Sequence, residues 1–266
     1  MKTPAISASR RTDLARFYPD WLADRLRRLR RKSVVVVVTK YPAAIYEHRG
    51  LREALSRHHV AAMVSITGMG GLPIEPRVPP WQQAVAETRE LIAFLGSPER
   101  VRLRFDPIVY SADGWSNVSL FPQIARSVAE LGIKEAIFSF VHLYPQVKLG
   151  LRELGIELID PPPQYKLEDL EWMMREARGA GVTLHGCCTL AIEGVKKSGC
   201  IDGEWLCRLF DVELDMAKDP KQRRDCRCIV SRDIGSYHQR CYAGCGYCYA
   251  QKGGTVGYLR GLGREK

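Results

Sequence analysis

Val34-Val35-Val36-Val37-Val38-Thr39 sets five β-branched residues in succession before a threonine. Alternate residues of a strand point to opposite faces, so a strand made of this run is apolar on both sides. That pattern belongs to a parallel sheet covered on both faces rather than to a sheet with one wet side. On either side of it the chain alternates short apolar runs with longer amphipathic stretches. Strands are expected at residues 5–7, 34–38, 61–66, 101–105, 136–140 and 182–184. Helices are expected at about 18–30, where Leu22, Leu26 and Leu29 recur at helical spacing, and at 80–95, 121–131 and 167–177. Residues 145–163 are too irregular to assign. Six strands joined by crossovers of βαβ length predict an α/β fold whose parallel sheet curls into a full or partial (β/α) barrel. A doubly wound sheet is the alternative.

The cysteines divide the chain. All nine lie between Cys187 and Cys248, and the first 186 residues have none. The expected organisation is therefore a (β/α) core over 1–186 and a cysteine-rich, metal-bearing segment over 187–266 packed on it. In a reducing cytoplasm such thiols stay free unless a metal takes them. A cytoplasmic location is the expectation, because residues 1–7 carry no apolar stretch of secretory length and no run approaches the ~20 residues of a bilayer span.

Cys241, Cys245 and Cys248 stand at the spacing C-x3-C-x2-C. Three thiolates are one short of a closed four-ligand site, so a cubane iron–sulfur cluster held there keeps one iron open to a non-protein ligand. Gly244 and Gly246 let the backbone pass close to sulfur. A zinc knuckle or half of a disulfide framework is the competing reading of the same spacing. Six more cysteines precede the triad. Cys187, Cys200, Cys226 and Cys228 are the preferred ligands of a second site, an iron–sulfur cluster or zinc, with packed free thiols as the plain alternative.

In parallel α/β folds chemistry sits where strands end. The six apolar runs finish on polar groups: Ser9, Arg10, Arg11 and Asp13; Thr39 and Lys40; Thr67; Arg104 and Asp106; His142; and His185. Together they predict a polar, partly cationic rim. The net charge of +10 raises a nucleic-acid partner. Much of it is crowded into Arg25, Arg27, Arg28, Arg30, Arg31 and Lys32 at one helix end, where a solvated face is the simpler account.

The chain resembles the DUF1848 family. The resemblance is carried by Ser7–Asp13, Thr39-Lys40 with Pro42, Arg104–Pro107, Cys200–Asp202, Gln222-Arg223, Cys226–Cys228, Asp233–Gly235 and Cys241–Ala250. Val38 stands where the family pattern has tryptophan, and Cys187 is followed by Cys188-Thr189 rather than Ala-Glu. The triad, with Tyr247 before its last cysteine, is similar to the cluster motif of the radical S-adenosylmethionine (radical SAM) superfamily. That likeness implies a barrel in which Cys241, Cys245 and Cys248 hold a 4Fe–4S cluster and SAM binds the open iron. It further implies a 5′-deoxyadenosyl radical that takes hydrogen from an unidentified substrate, and an electron donor such as ferredoxin or flavodoxin. Tyr247, Arg10, Arg11, Lys40, Thr67, Arg104 and Asp106 are the implied contacts to SAM or substrate. Radical SAM enzymes generally place the triad after their first strand, whereas here it comes late. A circular rearrangement, with residues 227–231 as the strand before the cluster loop, reconciles the two. A non-catalytic electron carrier or sensor and a nucleic-acid-modifying radical SAM enzyme are the alternative functions.

Overall fold

The computed structural model describes residues 2–189, 192–236 and 238–250. The end of the expected cysteine-rich segment, 251–266, lies outside the described residues. In chain order the elements are β1 (Ala5–Ala8), α1 (Leu14–Phe17), α2 (Pro19–Arg27), β2 (Val34–Thr39), α3 (Ala43–Glu47), α4 (Arg49–Leu55), β3 (His59–Ser65), α5 (Trp81–Leu95) and β4 (Val101–Ile108). Then follow β5 (Tyr110–Ser111), α6 (Phe121–Glu130), β6 (Glu135–Phe140), α7 (Pro145–Glu153), β7 (Leu158–Ile159), α8 (Pro163–Gly179), β8 (Thr183–Gly186), α9 (Gly203–Phe210) and β9 (Arg232–Asp233).

Seven strands form one parallel sheet in the order β8-β6-β4-β3-β2-β1-β9. Each of the six expected strands is present. The seventh, β9, adds to β1 through the pairs Ile6–Arg232 and Ser7–Asp233. It falls just after the 227–231 stretch expected to precede the cluster loop. No pairing joins β8 to β9 among the described residues, so the sheet is open rather than a closed barrel.

The valine run explains the layering. Val35 and Val37 join the core formed with the helices, alongside Ile6, Ala62, Val64, Leu103, Phe105 and Phe138. Val34 and Val36 face the other way, into a second apolar cluster with Ala61, Met63, Ile137, Ile201, Trp205, Leu206 and Phe210. All four valines are fully buried. The face that a closed barrel turns inward is thus covered by the chain's own cysteine-rich segment, which includes α9. Sequence periodicity missed α9, although its signals are local: the Asp202 side chain accepts from the Trp205 N–H at the first turn, and Trp205, Leu206 and Phe210 form its buried side. The irregular 145–163 stretch holds α7, opened by Pro145, and β7. The segment from 187 onward is no separate layer in the strict sense, since it also supplies β9 to the sheet.

An arginine fastens the segment to the sheet. Arg102 of β4 is 4% exposed and pairs with Glu135 and with Asp202 at 3.1 Å, donates to Ser198 at 3.3 Å, and lies 4.1 Å from the Trp205 ring centroid. Burial alone would raise the Asp202 carboxyl, but Ser198 and Arg102 outweigh it and hold the group below its usual range. Burial opposes ionisation of Glu135 too, and His185 and Arg102 reverse it. Both groups therefore contribute stability that is complete above the unfolded carboxylate pKa and is lost as pH falls through the lower folded value.

Arg102→Ala should lower the unfolding free energy by about 3–5 kcal/mol, since it leaves two carboxylates without their buried partner. Denaturant titration at pH 7 measures this, and the gap from wild type should shrink as pH falls below about 4.

A candidate metal centre in a cysteine-lined cavity

A cavity of about 370 Å³ opens where the strands end. Its wall takes Ser9 and Arg10 from beyond β1, Val38 and Thr39 from β2 and Lys40 just beyond it, Ser65 from β3, Arg104 and Asp106 from β4, and Ser139 from β6. Eight of the nine cysteines line it, all but Cys207. The exception sits on α9, where its sulfur lies 4.0 Å from the Met216 sulfur.

Cys241, Cys245 and Cys248 occupy one side, on a loop sewn to the first strand and its neighbours. Thr12 donates to the Gln239 carbonyl at 2.6 Å, Tyr18 to the Arg240 carbonyl at 3.0 Å, and Arg11 to the Gly235 carbonyl at 3.2 Å. The Gly246 N–H donates to the Ile74 carbonyl at 2.9 Å. Gly244 has φ +73°, which favours glycine, and a Cβ at Gly246 would press on the Leu154 side chain at 2.7 Å. Burial pushes the Cys241 thiol up to about 12, with Asp13 and Cys248 adding to it. Burial, then Glu75, pushes the Cys245 thiol well up too, with Cys241 and Cys248 contributing. The three sulfurs thus act on one another, and anything that binds them as thiolates must bring positive charge.

Behind the triad lies a carboxylate that no sequence pattern singles out. Glu75, fully buried, accepts from Lys40 at 2.8 Å, from Thr67 at 2.8 Å and from the Tyr247 hydroxyl. Burial works against the Lys40 charge, but Glu75 and Cys245 outweigh it and raise its pKa. The Lys40 ammonium also lies 5.6 Å from the Tyr247 ring centroid. Glu75 comes from a loop after β3 and meets Tyr247 only through the tertiary fold, which is why local spacing does not mark it. Asp13 is a second buried carboxylate near the triad. It accepts from the Thr39 hydroxyl and the Lys40 N–H, each at 2.8 Å, while burial raises its carboxyl to about 6.

Across the cavity a second group gathers five thiols. Their side chains interact in the order Cys226–Cys188–Cys187–Cys200–Cys228 and back to Cys226. Hydrogen bonds from Cys187 draw Cys188 down to about 3 and, with Cys228, draw Cys200 below the thiol range. Cys187 and Cys228 are pushed up as the partners that keep their protons.

The rim residues anticipated from sequence are divided by the fold. Arg10, Arg11, Lys40, Arg104, Asp106, His142 and Tyr247 line the cavity. Thr67 does not; it stands behind, holding Glu75 and the Met69 N–H. His185 turns instead towards Glu135, 3.5 Å away. The cations are not free. Arg104 pairs with Asp106, Arg10 with Asp219 at 3.6 Å, and Arg11 with Asp233 at 3.8 Å. Tyr144, Tyr249 and Arg223, which the sequence did not single out for the rim, complete the mouth. The arginines of α2 and the turn after it lie away from the cavity on the surface: Arg28 pairs with Asp24 at 3.0 Å and Arg25 lies over Trp21.

Fold and site define a mostly parallel α/β protein with a cysteine-lined cavity at the strand ends. The family profile described as a domain of unknown function (DUF1848) matches residues 5–250, and the chain belongs to that family. No curated protein matches the sequence. Among solved structures, a xylose isomerase domain protein from Alicyclobacillus acidocaldarius is 16% identical at TM-score 0.35, over 70% of this chain and 62% of that chain. A fructose-1,6-biphosphate aldolase candidate from Coccidioides immitis is 19% identical at TM-score 0.25, over 70% of this chain and 67% of that one. These likenesses are too slight to carry an argument. No helix among the described residues is long and apolar enough to cross a membrane.

Tyr247→Phe should cost about 1.5–3 kcal/mol by removing a hydrogen bond to a buried carboxylate. Glu75→Ala should cost more, because it strands the Lys40 ammonium. Thermal unfolding of the two variants beside wild type measures the difference.

Proposed function

We propose that this protein is an iron–sulfur enzyme of the radical SAM type. Cys241, Cys245 and Cys248 would hold three irons of a 4Fe–4S cluster, with SAM at the fourth. The observation that carries the reading is the placement of these three thiols, on one loop, at the wall of an open polar cavity at the strand ends.

The donor set fits such a cluster better than it fits zinc. Zinc bonds to sulfur at about 2.3 Å in a tetrahedron, which draws ligand sulfurs to within about 3.8 Å of each other. No three Cys, His, Asp or Glu side chains among the described residues stand at the spacing of ligands to one ion. A cubane spreads its ligand sulfurs more widely. When bound, a reduced cluster of this kind supplies the electron that splits the sulfonium bond of SAM into methionine and a 5′-deoxyadenosyl radical.

The chain's own residues do the rest. Lys40, fixed by Glu75, sets a buried positive charge beside Cys245, where a thiolate needs one. Arg104 and Asp106 present a guanidinium and a carboxylate side by side on the cavity wall, complementary to the carboxylate and amino groups of an amino-acid moiety. Tyr144, Tyr247 and Tyr249 offer aromatic surface for an adenine. A pure electron carrier needs no cavity of this size, and ligand pockets run from about 300 Å³ upward. The size of the opening therefore favours an enzyme over a carrier or sensor.

Wild-type protein reconstituted anaerobically with iron and sulfide should release 5′-deoxyadenosine from SAM under dithionite, measured by chromatography. Cys245→Ala should reduce that to background. Wild type with its full iron content and no product would sink the proposal.

A further inference from the structure

We infer that Cys187, Cys200, Cys226 and Cys228 hold a second iron–sulfur cluster closed by four protein sulfurs, while Cys188 remains a free thiol facing the cavity. The inference uses none of the triad thiols and stands or falls apart from the SAM reading.

Three separate stretches of the chain converge to make the group: the turn after β8, the loop before α9 and the stretch before β9. The convergence is built into the backbone. A Cβ at Gly199 would stand 2.6 Å from the Cys228 nitrogen, so the strand of chain carrying Cys200 lies directly on the one carrying Cys228. The Ile229 N–H donates to the Ile201 carbonyl at 3.0 Å, and the Asp219 N–H to the Cys228 carbonyl at 2.9 Å. Two backbone N–H groups already point at sulfur: Ile201 to Cys228 and Cys228 to Cys226, each at 3.4 Å. Bonds of this kind set the potential of protein-bound clusters.

Burial separates the five thiols. Cys187, Cys200, Cys226 and Cys228 are between 1% and 6% exposed, whereas Cys188 is only half-buried. Cys188 also has φ +51°, a left-handed conformation unusual for a side-chain-bearing residue, and Arg223 lies near its sulfur. Four buried donors close a cluster and leave the fifth, the more exposed one on the cavity wall, outside it.

Charge is the independent argument. A four-thiolate cluster is an anion, and a buried anion needs buried cations. Two arginines stand ready. Arg104 comes within hydrogen-bonding reach of Cys200, and its Nε is buried with no hydrogen-bond partner among the described residues. Arg10 lines the same cavity wall as Cys200 and Cys228, and its Nη1 is likewise buried without a partner among the described residues. Each arginine also pairs with one carboxylate, Arg104 with Asp106 and Arg10 with Asp219, which leaves these buried N–H groups for the sulfurs. Zinc on the same four sulfurs is the competing occupant, and the metal content separates the two. With no open iron, a cluster here transfers electrons rather than binding substrate.

The test is iron and acid-labile sulfide content, with Mössbauer and electron paramagnetic resonance spectra, on anaerobically purified full-length protein. Wild type should carry about eight irons, two cubanes' worth. The triple variant Cys241→Ala, Cys245→Ala, Cys248→Ala should keep about half of that iron as one 4Fe–4S signal that SAM leaves unchanged. The double variant Cys200→Ser, Cys228→Ser should lose the other half and retain the SAM-responsive signal. Cys188→Ser should keep the full complement. The inference is overturned if the folded triple variant, checked by circular dichroism, holds no iron or holds zinc, or if Cys188→Ser loses as much iron as Cys187→Ser. Failure of the SAM reading has a different signature: both clusters present and no response to SAM.

Discussion

A sheet that is apolar on both faces has to be covered on both faces. This constraint, imposed by Val34–Val37 and their neighbours on β1 and β3, governs the rest of the molecule. Closed (β/α) barrels meet it by rolling the sheet until its inner face covers itself. Here the sheet stays open and the chain folds its own cysteine-rich segment against that face. The segment has little periodic structure, so it cannot hold itself there by helix packing alone. Arg102 supplies a polar anchor under it, and α9 an apolar one.

Covering the lower half of the face leaves the upper half as a cavity. The side chains that follow the valines upward on the same face are Ser65, Arg104, Asp106 and Ser139, a change from apolar to polar over a few residues of each strand. Thiols from both ends of the cysteine-rich segment meet there because the segment begins at β8, on one sheet edge, and finishes after β9, on the other. The two cysteine groups therefore face one shared space. Their surroundings differ: the triad stands beside Lys40, Glu75 and Asp13, the five-thiol group beside Arg10 and Arg104.

Much of the fold was legible in the sequence because its signals are local. The valine run and the five apolar stretches like it yielded six of the seven sheet strands within a few residues. Helices α2, α5, α6 and α8 followed from the amphipathic stretches between the strands, α2 from its leucine spacing. What escaped was what depends on distance along the chain. Barrel closure is a matter of accumulated twist, and β9 is two residues whose strand character comes from β1. Of the site, the cysteine spacing and the polar strand ends could be read. The ion pairs that engage Arg10, Arg11 and Lys40 could not, because Asp219, Asp233 and Glu75 reach them from remote loops. Thr67 was misplaced for the same reason: its strand-end position was right, but its hydroxyl turns back to a carboxylate no pattern reveals.

The pairing of Ile6 with Arg232 carries a consequence for biosynthesis. During translation β1 leaves the ribosome more than 200 residues before its outer edge gains a partner in residues 232–233. Until then the nascent sheet exposes an unpaired margin and an uncovered valine face, both invitations to aggregation. A β1 of only four residues keeps that margin short, and the stretch that brings β9 closes the edge and delivers the triad together.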